Sequence, residues 1–206
     1  MFEIQNYASF VAAILVFQLI PGAGTLVILN ATARNGIGAG LGSVWGTLVG
    51  DFVHMVAAVA GLAAVMNANP FLFRGLQWFG AAYICWMGFQ LIRTPVDSGW
   101  NIEEPVKSGS VYFRQAFTVS LTNPKVVLFF VAFFPLFLRA DASPVTLGIM
   151  MAHVTVISFF YQAGLVLIGN VVARKLSALP YARKLATRLA GVALIGFGIK
   201  LALGNR

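Results

Sequence analysis

The chain has 206 residues, 59% hydrophobic and only 10% charged, with a mean hydropathy of +0.86. Soluble domains are nearer about 45–50% apolar, so a water-soluble globule is excluded and a membrane protein is predicted. The net charge of +8 falls mostly in loops, where it reports topology and not a nucleic-acid surface. Cys85 is the only cysteine, which excludes an internal disulfide and a Cys-x-x-Cys thiol exchanger.

Crossing roughly 30 Å of hydrocarbon takes about 20 mainly apolar residues. Six such stretches are predicted, at 7–30, 40–66, 70–92, 113–138, 144–170 and 184–203. The N-terminal MFEIQNYASF carries an acid where a secretory signal would be basic, and its apolar run continues past any cleavage site, so it is taken as the start of the first span. That span contains LIPGAGTLVIL. Pro21 has no amide hydrogen and would leave the Phe17 carbonyl without its helical partner. Broken backbone at membrane depth is tolerated where protein or a polar cavity takes it in. The half-helix that follows offers amide hydrogens and a positive dipole end to an anion such as a carboxylate. Gly22 and Gly24 let a ligand approach the backbone closely. An ordinary proline kink repaired by neighbouring helices is the alternative.

In the second span, Gly38, Gly42, Gly46 and Gly50 recur four apart beside Ala39, Ser43, Thr47 and Asp51. Such stripes let helix backbones approach closely and are compatible with packing inside one subunit or with a homodimer. Asp51 differs from the other acids in lying inside a span. Burial disfavours its charged form and a nearby ammonium favours it, which suits a site that exchanges a proton or binds an ammonium. His54 shares the Asp51 face and is a candidate for proton coupling, with a histidine hydrogen-bonded inside the bundle as the alternative. Thr47 is a candidate pathway-lining residue.

The third span, WFGAAYICWMGFQLI, precedes RTPVDSGWNIEEPVKSGSVY at 93–112, the only long connection and a surface loop by composition. Beyond it, SLTNPKVVLFF places Asn123, Pro124 and Lys125 inside an apolar run. At 1.5 Å per residue, Pro124 lies about 15 Å into the span, near mid-depth. It would free the Ser120 carbonyl as Pro21 frees that of Phe17. A lysine that deep needs a partner or a function. In the fifth span Thr155, Ser158 and Gln162 form one polar stripe that lines a pathway or joins helices.

Each half therefore holds three spans with a proline-broken first member, and the third spans echo each other in WFGAAYICWMGFQLI and RLAGVALIGFGIKLAL. Three crossings per copy force the second copy to enter the membrane inverted. The predicted fold is all-α: one transmembrane domain over 1–206, with repeat one at about 7–92 and repeat two at about 113–203. Arg34, Arg93, Arg114 and the basic residues between the fifth and sixth spans fall on one side, which should be cytoplasmic, with both termini outside.

These residues resemble the lysine exporter (LysE) family, including the homoserine and threonine efflux proteins of the RhtB type. The resemblance covers nearly the whole chain. It rests on IPGAGTLVILNATARNGIGAGLGSVWGTLVGDFVHMVAAVAGLAAV, GAAYICWMGFQLIR and LTNPKVVLFFVAFFPLFL, the last similar to the family's Asn-Pro-Lys segment. Two departures stand out: Ala23 and Gly24 where the family commonly continues Pro-Gly-Pro and a polar residue, and Leu136 where it often has Gln. The resemblance implies export of amino acids or related metabolites from the bacterial inner membrane, driven by proton gradient or membrane potential.

The function expected from sequence is a secondary exporter of a small zwitterion, a neutral amino acid or derivative, not an enzyme and with no cofactor. Its substrate-binding candidates are Pro21, Gly22, Gly24, Asp51, Asn123, Pro124 and Lys125. Asp51 and His54 are the proton-coupling candidates. Thr47, Thr155, Ser158 and Gln162 would line the pathway, with membrane lipid as the surrounding partner. A metal-cation exporter and a non-transporting membrane subunit are the alternatives. No P-loop appears, and no Cys/His/acid cluster has metal-ligand spacing.

Overall fold

A computed structural model of the chain describes residues 4–19, 22–68, 70–93, 109–138, 142–177 and 180–204. Pro21 and the connection 94–108, both singled out in the sequence, lie outside the described residues. Every regular element among the described residues is helical: α1 (Tyr7–Leu19), α2 (Ala23–Ala68), α3 (Pro70–Arg93), α4 (Gly109–Leu121), α5 (Pro124–Leu136), α6 (Pro144–Ser177) and α7 (Pro180–Gly204).

The 46 residues of α2 would reach about 70 Å as a straight helix, more than twice the hydrocarbon thickness. One residue divides it. Gly36 has φ 77° and ψ −169°, a region that essentially only glycine enters, and it separates 23–35 from 37–68. The sequence places a loop between spans 7–30 and 40–66; the structure instead keeps 31–35 helical and turns at Gly36 alone. The physical reason is that Ala31 to Asn35 contain no breaker, and Thr32 folds its hydroxyl back onto the Ile28 carbonyl at 2.8 Å.

Among the described residues two helical stretches are long and apolar enough to cross a membrane unaided, Ala23–Leu62 and Pro144–Ile168. A third appears if α4 and α5, bent by 58°, count as one broken span. The chain is thus a multi-pass, all-helical membrane protein.

The centre of the bundle is α5. Its Phe129, Phe130, Phe133 and Phe134 are all buried, and Phe10 stacks on Phe133 with ring centroids 5.2 Å apart. The carbonyls at its C-terminal end are taken up by neighbours: Gln77 donates to Pro135 O at 2.9 Å and the Gln5 amide to Phe137 O at 2.9 Å. These bonds satisfy groups that a buried helix end would otherwise leave bare.

The glycine stripe of α2 packs along α4. A methyl group on Gly42 would meet the Gly109 carbonyl, one on Gly46 would collide with the Phe113 carbonyl, and one on Gly50 with Ser120. These three glycines are used inside the chain, so the stripe no longer argues for a homodimer; only Gly38 faces open space. A second close crossing joins α3 to α7. Gly88 abuts the Gly191 carbonyl and Ile195, while Gly191 abuts the Gly88 carbonyl and Ile92. The interval from Gly88 to Gly191 equals that from Ile92 to Ile195, and also that from Pro21 to Pro124.

Candidate functional site

The α4–α5 break is built from three consecutive residues. Asn123 is the N-cap of α5, and its side-chain oxygen accepts from the Lys125 amide at 3.0 Å. Its own carbonyl accepts from the amides of Val126 at 3.1 Å and Val127 at 3.3 Å. Pro124 occupies the first helical position, where its missing hydrogen costs nothing. The Asn-Pro pair is therefore a helix start as much as a helix break. The first amides of α5 are already bonded within the chain, and Lys125 follows directly on the proline.

The carbonyl of Ser120 at the end of α4 is also satisfied. It accepts from the Asn123 amide at 3.1 Å and lies 3.2 Å from His54 Nε2, a spacing that requires Nε2 to carry the hydrogen. The Ser120 hydroxyl donates to Asp51 Oδ1 at 2.5 Å. His54 and Asp51 on α2 thus grip one residue at the break from two sides. Replacing His54 by Leu is expected to lower the unfolding midpoint of detergent-solubilised protein by removing one bond worth about 0.5–1.5 kcal/mol. His54→Gln, which keeps a donor, should recover part of that loss; equal midpoints for parent and His54→Leu would deny the bond any weight.

Beside the break lies a cavity of about 50 Å³. Its polar wall is formed by Thr47 and Asp51 from α2, Ser120, Asn123 and Lys125 from the break, and Gln162 from α6. Gly22 and Gly24, at the start of α2, close another side. A methyl on Gly22 would sit 3.6 Å from Lys125 Nζ, so the backbone after Pro21 and the ammonium are neighbours. The same ammonium lies 4.9 Å over the Phe17 ring, a cation–π contact, and Phe17 stacks on Phe129 at 3.7 Å. Phe17, Ile28 and Val126 supply the apolar wall.

Of the residues singled out in the sequence, Gly22, Gly24, Thr47, Asp51, Asn123, Lys125 and Gln162 line this cavity. His54 stands behind it. Pro124 starts α5, and Pro21 is outside the described residues. Thr155 turns its hydroxyl onto the Met151 carbonyl at 2.9 Å and, like the buried Ser158, is not part of the lining. Sequence reasoning did not count Phe17, Gln18, Thr25, Ile28, Ser120 and Val126 as lining residues. Of these, Ser120 and Phe17 were within reach, since they are the residues whose carbonyls Pro124 and Pro21 would free. Among the described residues no three His, Cys, Asp or Glu side chains gather to hold a metal ion.

An acid and an amine thus line one small cavity, at the junction of a broken helix with a second helix start. The chain's relatives agree with a membrane carrier. A leucine efflux protein of Klebsiella pneumoniae subsp. pneumoniae is 30% identical over 204 residues, covering 98% of this chain and 96% of that protein. One from an Enterobacter species is 30% identical over 98% of this chain and 97% of its own length. One from Salmonella typhimurium is 29% identical over 98% of this chain and 96% of its own length. No solved structure gives a significant match. The family model described as LysE type translocator matches residues 15–205, so the chain belongs to the LysE type translocator family and is a transporter, not an enzyme.

Proposed function

We propose that the chain is a secondary-active exporter of small neutral amino acids, with leucine the first candidate, across the bacterial inner membrane. The observation that carries this proposal is the composition of the cavity wall, which holds Lys125, Asp51 and the apolar side chains of Phe17, Ile28 and Val126. Lys125 and the first turn of α2 receive the carboxylate, the latter through the amide hydrogens that a helix start leaves without helical partners. Asp51 receives the ammonium, and the apolar wall receives the side chain. The leucine efflux relatives support this substrate class.

Proton coupling belongs to the same proposal. Asp51 is the acid that a proton and an ammonium would compete for, and His54, held through Nε2 by the Ser120 carbonyl, keeps Nδ1 as the position able to take a proton. The reciprocal Gly88–Gly191 contact and its shared interval with Pro21 and Pro124 support six crossings in two inverted repeats within a single domain.

The cavity of about 50 Å³ is well below the roughly 300 Å³ at which ligand pockets begin. The walls must therefore separate to admit an amino acid, as alternating access requires. The test is flux: vesicles containing the purified protein and labelled leucine should lose the label faster than protein-free vesicles, and faster again when the opposite side is acidified. Identical leakage with and without protein would remove the proposal. Flux indifferent to the pH gradient would remove only its proton coupling.

A further inference from the structure

Three buried oxygens at the α2–α6 seam have no hydrogen-bond partner among the described residues: Ser43 Oγ, Thr47 Oγ1 and Gln162 Oε1. Their residues are 0%, 6% and 4% exposed. A buried polar atom left unbonded bears the full penalty of its lost hydration, and folded proteins rarely keep such atoms without a reason. Serine and threonine hydroxyls in this chain have an easy alternative, shown by Thr32 and Thr155 bonding back to carbonyls of their own helices. The hydroxyls of Ser43 and Thr47 do not take it.

The helix register aligns these atoms. Gly40 abuts Val166 and Trp45 meets Phe159 with centroids 5.6 Å apart, so α2 and α6 run antiparallel with Ser43 level with Gln162. Thr47 follows one turn along α2 and Asp51 one turn further. Thr47, Gln162 and Asp51 all line the cavity.

Among these atoms acceptors predominate, although the two hydroxyls can also donate. The amide oxygen of Gln162 and the carboxylate of Asp51 accept hydrogen bonds and cannot donate, and the Thr47 hydroxyl can accept as well. A primary ammonium offers three donors and no acceptor, whereas a secondary amine that has been N-alkylated loses one donor and adds bulk on that side. Resting on the export function proposed above, we infer that Asp51, Thr47 and Gln162 form a subsite for a primary ammonium, which places the ammonium of the transported amino acid against the α2–α6 seam and its carboxylate toward Lys125. Ser43 lies one turn beyond on the same face of α2, outside the cavity lining. Gln162 and Thr47 are then the residues that select primary amines.

Two measurements test this. In vesicles, the parent should export leucine at least tenfold faster than N-methylleucine. Gln162→Leu and Thr47→Val should each raise the KM for leucine about tenfold and narrow that preference. In detergent, 3-methylbutylamine, which carries the ammonium and a leucine-like chain without the carboxylate, should raise the unfolding midpoint of the parent and not that of Gln162→Leu. Parental KM and selectivity in both variants, or an amine shift that survives Gln162→Leu, would overturn the subsite and leave water as the partner of these oxygens. A parent that moves no leucine yet is stabilised by the amine in a Gln162-dependent way would overturn the export proposal and uphold the subsite.

Discussion

Asp51→Asn should reduce leucine efflux from loaded vesicles at least about thirtyfold at equal amounts of folded protein, because removing one partner of a buried charge pair costs about 2–5 kcal/mol and each 1.4 kcal/mol is about tenfold. Asparagine has nearly the volume of aspartate and still accepts from the Ser120 hydroxyl, so the α2–α4 contact that the acid now makes at 2.5 Å is retained while the charge is lost. Any efflux that remains should no longer respond to a pH gradient. Lys125→Met removes the opposite charge with little change in volume and should produce a comparable loss through the carboxylate. Its effect should be largest for leucine and small for an amine lacking a carboxylate. Both variants exporting at the parental rate would dismiss the two-charge site, whatever the cavity contains.

The second large effect concerns packing. Gly46→Ala should sharply lower the yield and the unfolding midpoint of detergent-solubilised protein, whereas Gly38→Ala, two turns away on the same helix, should leave both unchanged or slightly improved. The added methyl at Gly46 collides with the Phe113 backbone carbonyl, and backbone cannot swing aside as a flexible side chain can. Overpacking of this kind costs about 1–3 kcal/mol or more against a total stability of about 5–15 kcal/mol. At Gly38 the same methyl meets nothing within 4 Å, and alanine favours helix over glycine by about 0.5–1 kcal/mol. Separation of α2 from α4 would also pull Ser120 away from Asp51 and His54, so Gly46→Ala should weaken transport in whatever protein does fold. Equal midpoints for the two variants would show that the stripe is not in contact with α4.

What could be read from the sequence was carried by residues that are rare in an apolar background. Asp51, Lys125 and Pro124 stand out because each is expensive or disruptive at membrane depth, and the structure gathers Asp51 and Lys125 around one cavity. A half-helix beginning after Pro124 was also legible, since an Asn before a Pro is a helix cap followed by a favoured first position, but that Asn123 itself takes up the first amides was not. Other features had no local signal. The Phe17 backbone was picked out by Pro21, but its ring is one of 18 phenylalanine rings, and only the fold brings it under the Lys125 ammonium. The turn at Gly36 is one glycine among 21, and no periodicity distinguishes it from Gly38 or Gly40. The stripe's spacing revealed that something approaches closely, but spacing does not say whether the visitor is α4 or another molecule.

The cavity lies between two closures of unequal cohesion. Towards α5 it is backed by interlocked rings, with Phe17 on Phe129 at 3.7 Å and Phe129 on Phe133 at 4.8 Å, joined through Phe133 to Phe137 at 4.9 Å. Towards α6 it is backed by Ile28, Val44, Leu48 and Val166, a small and mainly aliphatic cluster with Phe159 as the one aromatic residue packed against it among the described residues. In hydrocarbon, apolar contact carries little reward of its own because lipid tails offer the same, while each favourable ring pair adds about 0.5–1.5 kcal/mol. The α6 side is therefore the wall that costs less to displace when the cavity widens, and the ring-lined α5 side the one that holds its place.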